Sequence, residues 1–443
     1  MSVEPYPPAS SAGRSPSRSV VRTRAALLHG ALASLAAEGP DASIDSITER
    51  ADVAHGTFYE HFESRRDLLT QAMTHALADF NARIDEQIPE TCSAAEELAL
   101  RMRYFGRMPE LHPTLAAAFS SAGGFEAGFA TSFLEHIDTA IARGLAGGEF
   151  GAHDAAAAFA TVTGSAGWLV AVRTAYPHNG TDRVDAVAAF VLTLLGVDHA
   201  EANLICSTTR PQMPTRKSRA TPAQLASATA SDASRRALAQ QDRSRKTRSS
   251  IVQAALTLLA DEGTHLSIDR ITRQAGVSRA SFYRYFATKY ELFEAASIAG
   301  LQEWEDYIIG VTTPLADPAA QFILAMRLYG RLPDSHPRVA RAFYNLGNFA
   351  AGYPNGTEPD YQSLYDEAIR TGRFAPDPQG IGFLTLAGTL EWLITQRVVT
   401  PGLTGVFTDA VLGFVLPGFG LSPTEVTDIL RPSIPDTPTL ETP

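Results

Sequence analysis

The sequence predicts an all-α protein built from two tandem copies of one unit, and three observations carry that expectation. Aligning the 443-residue chain with itself at an offset of 224 positions superposes its halves almost without gaps. Thr23-Arg24 falls on Thr247-Arg248, Phe58-Tyr59 on Phe282-Tyr283, Trp168 on Trp392 and Arg173 on Arg397. Apolar residues in both halves recur at i, i+3 and i+4, the spacing of one face of an α-helix. No stretch alternates apolar and polar residues with the period of two that a half-buried strand needs. Between Thr23 and Ala72 about 20 of 50 positions are identical. A period this long lies outside the roughly 20 to 50 residues of solenoid repeats and marks duplication of a whole folded unit.

Each copy opens with a helical run, Ala25 to Ala37 and Ser249 to Ala260, stopped by Glu-Gly with Gly39 and Gly263 as terminators. Ser43 and Ser267 stand as N-caps before Ile-Asp and open short helices that end at Ala51 and Ala275. The breaks Asp52-Val53-Ala54 and Gly276-Val277-Ser278 lead into a third helix ending near Phe62 or Phe286. Three short helices with a three-residue turn between the second and third outline a helix-turn-helix, whose third helix enters the DNA major groove.

In that third helix Phe58 and Phe62, like Phe282 and Phe286, are spaced i, i+4 and turn inward as core. The stations that project elsewhere are His55, Gly56, Thr57, Tyr59 and His61 in copy 1, and Arg279, Ala280, Ser281, Tyr283 and Tyr285 in copy 2. Their polar groups can meet phosphate oxygens or base edges, and Arg279 can reach guanine in a bidentate contact. Arg65 and Lys289, opening the next helix, suit a backbone phosphate. Basic arms precede both modules. Arg22 and Arg24 in the first, and Arg245, Lys246 and Arg248 in the second, are either minor-groove or phosphate contacts or a solvated charge run.

These residues carry a resemblance. Val277 to Phe286 followed by Lys289 and Glu291-Leu292-Phe293, and Val53 to Phe62 followed by Arg65 and Asp67-Leu68-Leu69, resemble the recognition helix and following helix of the tetracycline-repressor (TetR) family. The resemblance implies that Thr57, Tyr59, His61, Arg65 and their partners in copy 2 touch DNA. It also implies that the larger half of each unit is a helical ligand-binding and dimerisation domain, whose last two long helices form a four-helix bundle with a partner.

The sequence is compatible with that. Asp154 to Tyr176 is a long helical run in which Ala160, Gly164 and Gly167 allow close helix approach, and Arg183 to Leu195 follows; Pro378 to Val399 and Thr408 to Leu416 are the counterparts. Copy 1 and copy 2 are expected to pair with each other as an intramolecular pseudo-dimer, with further dimerisation open. Pocket candidates are Met102, Tyr104, Phe119, Phe125 and Trp168 in copy 1, and Met326, Phe343, Phe349 and Trp392 in copy 2, with plain core packing as the competing account. Arg103 with Arg327, and Arg173 with Arg397, either receive an anionic ligand such as a carboxylate or acyl-CoA, or form an ion-paired or solvated surface.

The expected organisation is a disordered basic arm (1–19), a reading head (20–80), a regulatory domain (81–200), a linker (201–243), a second head (244–304), a second regulatory domain (305–432) and a disordered tail (433–443). The net charge of -11 excludes a polycation that coats nucleic acid along its whole surface, but it hides an uneven pair of heads. Arg14 to Ala72 holds 7 basic and 8 acidic residues, net -1, whereas the aligned Leu238 to Ala296 holds 9 and 6, net +3. The second head is therefore expected to contribute more binding energy.

The two cysteines, Cys92 and Cys206, lie far apart, and with no export signal or uninterrupted apolar span this reads as a cytoplasmic, soluble protein off the membrane. An enzyme is not expected. Gly164-Ser165-Ala166-Gly167 lacks the nucleophile-elbow spacing, Gly123-Gly124 with Gly128 follows no strand, and no metal cluster or cofactor motif appears. The predicted function is a sequence-specific transcriptional regulator, a repressor relieved by a largely apolar small-molecule effector, with unlike half-sites in its operator. The alternatives are an activator of the same fold, or an interaction or sensing module with one decayed head.

Overall fold

The computed structural model describes residues 18–39, 42–122, 131–151, 154–176, 182–208, 236–263, 266–346, 361–400 and 402–434; every regular element among them is helical. Unit 1 runs α1 (Arg18–Glu38), α2 (Ile44–Ala51), α3 (His55–His61), α4 (Arg65–Asp85), α5 (Ala94–Gly106), α6 (Met108–Leu111), α7 (Pro113–Ser121), α8 (Thr131–Gly147), α9 (Ala155–Ala175), α10 (Asp182–Leu194) and α11 (His199–Thr208). Unit 2 repeats the order as α12 (Arg236–Glu262), α13 (Ile268–Ala275), α14 (Arg279–Tyr285), α15 (Lys289–Thr312), α16 (Pro318–Tyr329), α17 (Leu332–Ser335), α18 (Pro337–Leu346), α19 (Tyr361–Arg370), α20 (Ile381–Val399), α21 (Gly405–Val415) and α22 (Pro423–Leu430).

The punctuation read from the sequence is present as geometry. Ser43 Oγ accepts from the Ser46 amide at 3.0 Å and Ser267 Oγ from the Arg270 amide at 3.1 Å, each satisfying a donor that the first helical turn leaves open. Gly39 and Gly263 adopt φ of 73° and 71°, the left-handed conformation that ends a helix at little steric cost to glycine. His112, which precedes Pro113, occupies the N-cap position of α7.

Two expected boundaries differ. The linker expected at 201–243 is helical at both ends, within α11 and the start of α12; α11 docks by burying Ala202 and Cys206, with Asp198 Oδ1 accepting from the Ala200 amide at 2.9 Å. The basic arms are also not extended: Arg22, Arg24, Arg245, Lys246 and Arg248 all lie within the long helices α1 and α12.

Apolar burial divides unequally. The core of head 1, with Leu27, Ile47, Phe58 and Leu68, is continuous with that of its larger domain. The core of head 2, built on Ile251, Leu259, Ile271 and Phe282, forms its own cluster and reaches α18 through Ala342. Asn345 Nδ2 on α18 also donates to the Leu259 carbonyl at 2.7 Å, fastening head 2 to its regulatory domain by a polar contact.

Helices α9 and α20 pack against each other as the seam between units, with α10 and α21 completing a four-helix arrangement. The crossing is at Gly164 and Gly388, positions related by the 224-residue offset: a Cβ on Gly164 would lie 2.5 Å from the Gly388 carbonyl oxygen, and one on Gly388 2.7 Å from the Gly164 oxygen. Only glycine lets the two backbones approach this closely. α9 is long and apolar enough by length and composition to cross a membrane, but 78% of its apolar window is buried within the protein.

Duplicated ion pairs pin each regulatory domain. Arg103 and Arg107 grip Asp185 on α10 at 2.6 and 2.7 Å, and Arg327 and Arg331 grip Asp409 on α21 at 2.9 and 2.8 Å. Arg173 donates to the Gly106 carbonyl and Glu110, and Arg397 to the Gly330 carbonyl and Asp334. Of the two alternatives open for these arginines, the structure realises ion pairing.

Glu305 on α15 is buried, and burial, aided by the neighbouring Asp306 charge, pushes its carboxyl up to about 7. The folded protein thus holds a proton that the unfolded chain has already released, so this residue subtracts stability as pH rises through the window from 4.5 to about 7. Glu305→Gln should raise stability by about 2 kcal/mol at pH 8 and leave it nearly unchanged at pH 4. Urea titration of both proteins at the two pH values checks this.

Candidate DNA-reading heads

The two third helices are seven-residue segments held by one inward and one capping aromatic. Phe58 and Phe282 are fully buried, Phe62 and Phe286 nearly so, with centroid separations of 6.2 and 6.0 Å within each pair. Neighbouring residues point the other way: Tyr59 is 62% exposed and Tyr283 49%, although both are large aromatic side chains that burial would favour. His55, Gly56, Arg279 and Ala280 are exposed, and Thr57, His61, Ser281 and Tyr285 half-buried. The stations read from the sequence are thus exposed or half-buried around each third helix, away from the buried phenylalanine.

The duplicated pattern extends to charge. His55 Nδ1 lies 3.8 Å from Asp45 and Arg279 Nη1 3.5 Å from Asp269, so the first side chain of each third helix faces a carboxylate on the helix before it. The Tyr283 side chain, and then the Asp269 charge, hold the Arg279 guanidinium firmly in its charged form. Its guanidinium carbon lies 5.9 Å from the Tyr283 ring centre.

The heads differ where the copies diverged. Ser278 Oγ caps α14 by accepting from the Ser281 amide at 3.1 Å, whereas Ala54 offers α3 no such acceptor. Gly276 ends α13 at φ 65°, a conformation free to glycine, while Asp52 ends α2 at φ 53° and bears the strain of a side chain in that region. Head 2 also displays Arg273 and Arg284 on exposed positions where head 1 has Glu49 and Glu60. Arg273 escaped the sequence reading of sites; setting it beside Glu49 in the internal alignment is the signal that finds it.

The remaining basic residues have structural contacts as well. Arg24 stacks over Phe62 at 5.2 Å and Arg248 over Phe286 at 5.1 Å, so each helps hold the end of a reading helix in place. Arg65 donates to the Ala42 carbonyl at 3.2 Å, and Lys289 sits 5.5 Å above the Phe293 ring. Arg22 and Lys246 are exposed, and the Arg245 side chain lies outside the described residues.

A model of the "Bacterial regulatory proteins, tetR family" matches the chain twice, over residues 27–72 and 251–296, which are the two segments just described. Both heads are tetR-family segments. The chain carries two tetR-type heads in one polypeptide, within an all-α fold duplicated in tandem.

Among curated proteins the chain is similar to the HTH-type transcriptional repressor KstR of Mycobacterium tuberculosis, with 29% identity over 108 residues. That match covers 24% of this chain and 49% of KstR, so the chain spans about half the length of the curated relative it matches. Among solved structures, RolR in complex with resorcinol is similar at 21% identity and a TM-score of 0.39, over 44% of this chain and 99% of RolR. FadR from Bacillus subtilis in complex with stearoyl-CoA is similar at 22% identity and a TM-score of 0.35, over 39% of this chain and 96% of FadR.

The expected pocket residues of this tetR-type chain are dispersed. Met102, Tyr104 and Phe119 are buried in the core of unit 1, where Phe119 packs edge-on against Phe105 at 5.4 Å and Phe105 stacks on Phe133 at 4.1 Å. Met326 and Phe343 are buried in unit 2. Trp168 and Trp392 belong to the seam helices, with Trp392 edge-on to Phe159 at 5.8 Å across it. Phe125 and Phe349 lie outside the described residues. A cavity of about 320 Å³ opens between the units, lined by Trp168.

Proposed function

We propose that the chain is a ligand-responsive repressor whose two unlike heads bind an asymmetric operator as an intramolecular pseudo-dimer. The observation that carries this reading is the crossing at Gly164 and Gly388: each unit finds in the other the partner that a two-headed reader needs. Operator symmetry mirrors protein symmetry. With His55, Thr57, Tyr59 and His61 in one head and Arg279, Ser281, Tyr283 and Tyr285 in the other, the half-sites are unlike. The name of the matched relative, a repressor, supports the negative sign of regulation. An effector bound in the regulatory half shifts α4 or α15 and alters the separation of the heads, at a typical coupling of roughly 5 to 150-fold in operator affinity. A DNA-bound regulator of this kind works in the cytoplasm, and its sections are a head at 20–80, a regulatory domain at 81–200, and their repeats at 244–304 and 305–432.

Unequal heads give the test. At fixed salt, Arg279→Ala should weaken operator binding by about 10 to 100-fold through loss of a bidentate base contact. His55→Ala should cost less. Fluorescence titration of the operator with each variant checks the order, and a larger loss from His55→Ala would falsify the ranking.

A second reading, in which head 1 has lost DNA binding, draws on its uncapped α3, the strained Asp52 and the exposed Glu49 and Glu60. Protection of a single half-site by the intact chain would favour it over the two-headed reading.

A further inference from the structure

The cavity between the units is built by both copies. Its floor is aromatic and aliphatic, with Trp168 and Val172 from α9 and Phe383 and Leu384 from α20. Around the rim stand Tyr176 and Arg183 of unit 1 and Gln379 of unit 2, with two carboxylates, Asp366 and Asp377.

Asp377 is occupied as a helix cap, accepting from the Ile381 amide at 2.9 Å, the Gly382 amide at 2.7 Å and the Tyr365 hydroxyl at 2.8 Å. Asp366 accepts from Gln362 Nε2 at 2.8 Å. Arg183 is half-buried and has no ion-pair partner among the described residues. Burial holds the Tyr176 phenol in its protonated, donating form. Among the described residues neither Arg183 nor Asp366 has an ion-pair partner, and the Arg183 guanidinium, beside flat apolar walls, is suited to a planar oxyanion.

Duplication supplies an internal comparison. At the mirrored place on the seam Phe407 stands where Arg183 does, Thr400 where Tyr176 does, and Ala155 where Gln379 does. That side also carries the Phe159–Trp392 edge contact. At the aligned positions the mirrored side has no equivalent of the Arg183 guanidinium.

We infer that the seam cleft is a single, asymmetric effector site that binds a small aromatic carboxylate, its ring against Trp168 and Phe383 and its carboxylate on Arg183. The cavity's 320 Å³ lies at the low end of small-molecule sites, which suits a ligand of one or two rings. Asp366 at the rim repels a second negative charge, so a monoanion is preferred over a phosphate dianion. The inference rests on the ligand-responsive reading above and adds to it the place, the stoichiometry and the charge of the ligand.

Calorimetry of the intact chain with 2-naphthoate and its neutral counterpart 2-naphthamide tests it. The expected result is one naphthoate per chain, bound more tightly than the amide. Arg183→Met should weaken naphthoate by about tenfold or more, Arg183→Lys should retain part of the affinity, and the amide should bind both variants like the parent. Two equal sites per chain, equal affinity for acid and amide, or no saturable naphthoate binding below about 1 mM would overturn the assignment. Operator affinity measured on the same sample without naphthoate separates the two claims. Its absence counts against the repressor reading, and the calorimetry alone decides the seam.

Discussion

Gly164→Leu should cost about 3 kcal/mol of seam stability, and operator affinity should fall about 100-fold with it. A side chain there meets the Gly388 oxygen at 2.5 Å and the Thr389 Cα at 2.6 Å, and these are backbone atoms that cannot rotate away. Relief requires α9 and α20 to separate, which opens the apolar seam to water and moves the heads relative to each other. Gly147→Ala is the matched control, since a Cβ at that helical position meets nothing within 4 Å. Urea unfolding and operator titration of the two variants together check the effect; equal behaviour would show that the crossing is not under tight packing constraint.

Asp409→Ala should destabilise unit 2 by about 3 to 5 kcal/mol. One carboxylate receives both Arg327 and Arg331, whose side chains are only 5% and 14% exposed, and its loss leaves two buried guanidinium groups short of a counter-charge. Burial raises the Asp409 carboxyl, but bonds from Arg327 and Arg331 more than offset this and hold it below the ordinary 3.8. A depressed carboxylate contributes its stability above the unfolded value and loses it as pH falls through the folded one. The penalty of Asp409→Ala should therefore be full at pH 7 and shrink below about pH 4. Asp185→Ala, its equivalent in unit 1, should cost that unit a comparable amount at pH 7, because Arg103 is still more buried.

Much of this molecule was legible in its sequence because duplication repeats each signal. Ser43 and Ser267, Gly39 and Gly263, and Phe58 and Phe282 are local devices, a cap, a stop and a buried ring, whose physics acts within a few residues. The pairing glycines were also visible, since Gly164 is small and repeats at Gly388. What escaped depends on contacts distant in the chain. Arg24 and Arg248 read as free arms because their stacking partners Phe62 and Phe286 lie 38 residues further along. α11 read as linker because its helix depends on burying Ala202 and Cys206 against unit 1. Met102 and Phe119 stood as pocket candidates beside plain core packing because an aligned apolar side chain looks the same whether it lines a cavity or fills a core. The seam cleft joins Arg183 to Gln379, nearly two hundred residues apart, through a packing of units that spacing alone does not reveal.

The central claim is that one polypeptide is a complete two-headed reader. The mass of the complex formed by the full chain on its operator duplex, measured by light scattering at saturating protein, tests it most directly. One chain per duplex is the predicted result, with both half-sites covered. Two chains per duplex, each engaging DNA through a single head, would contradict it.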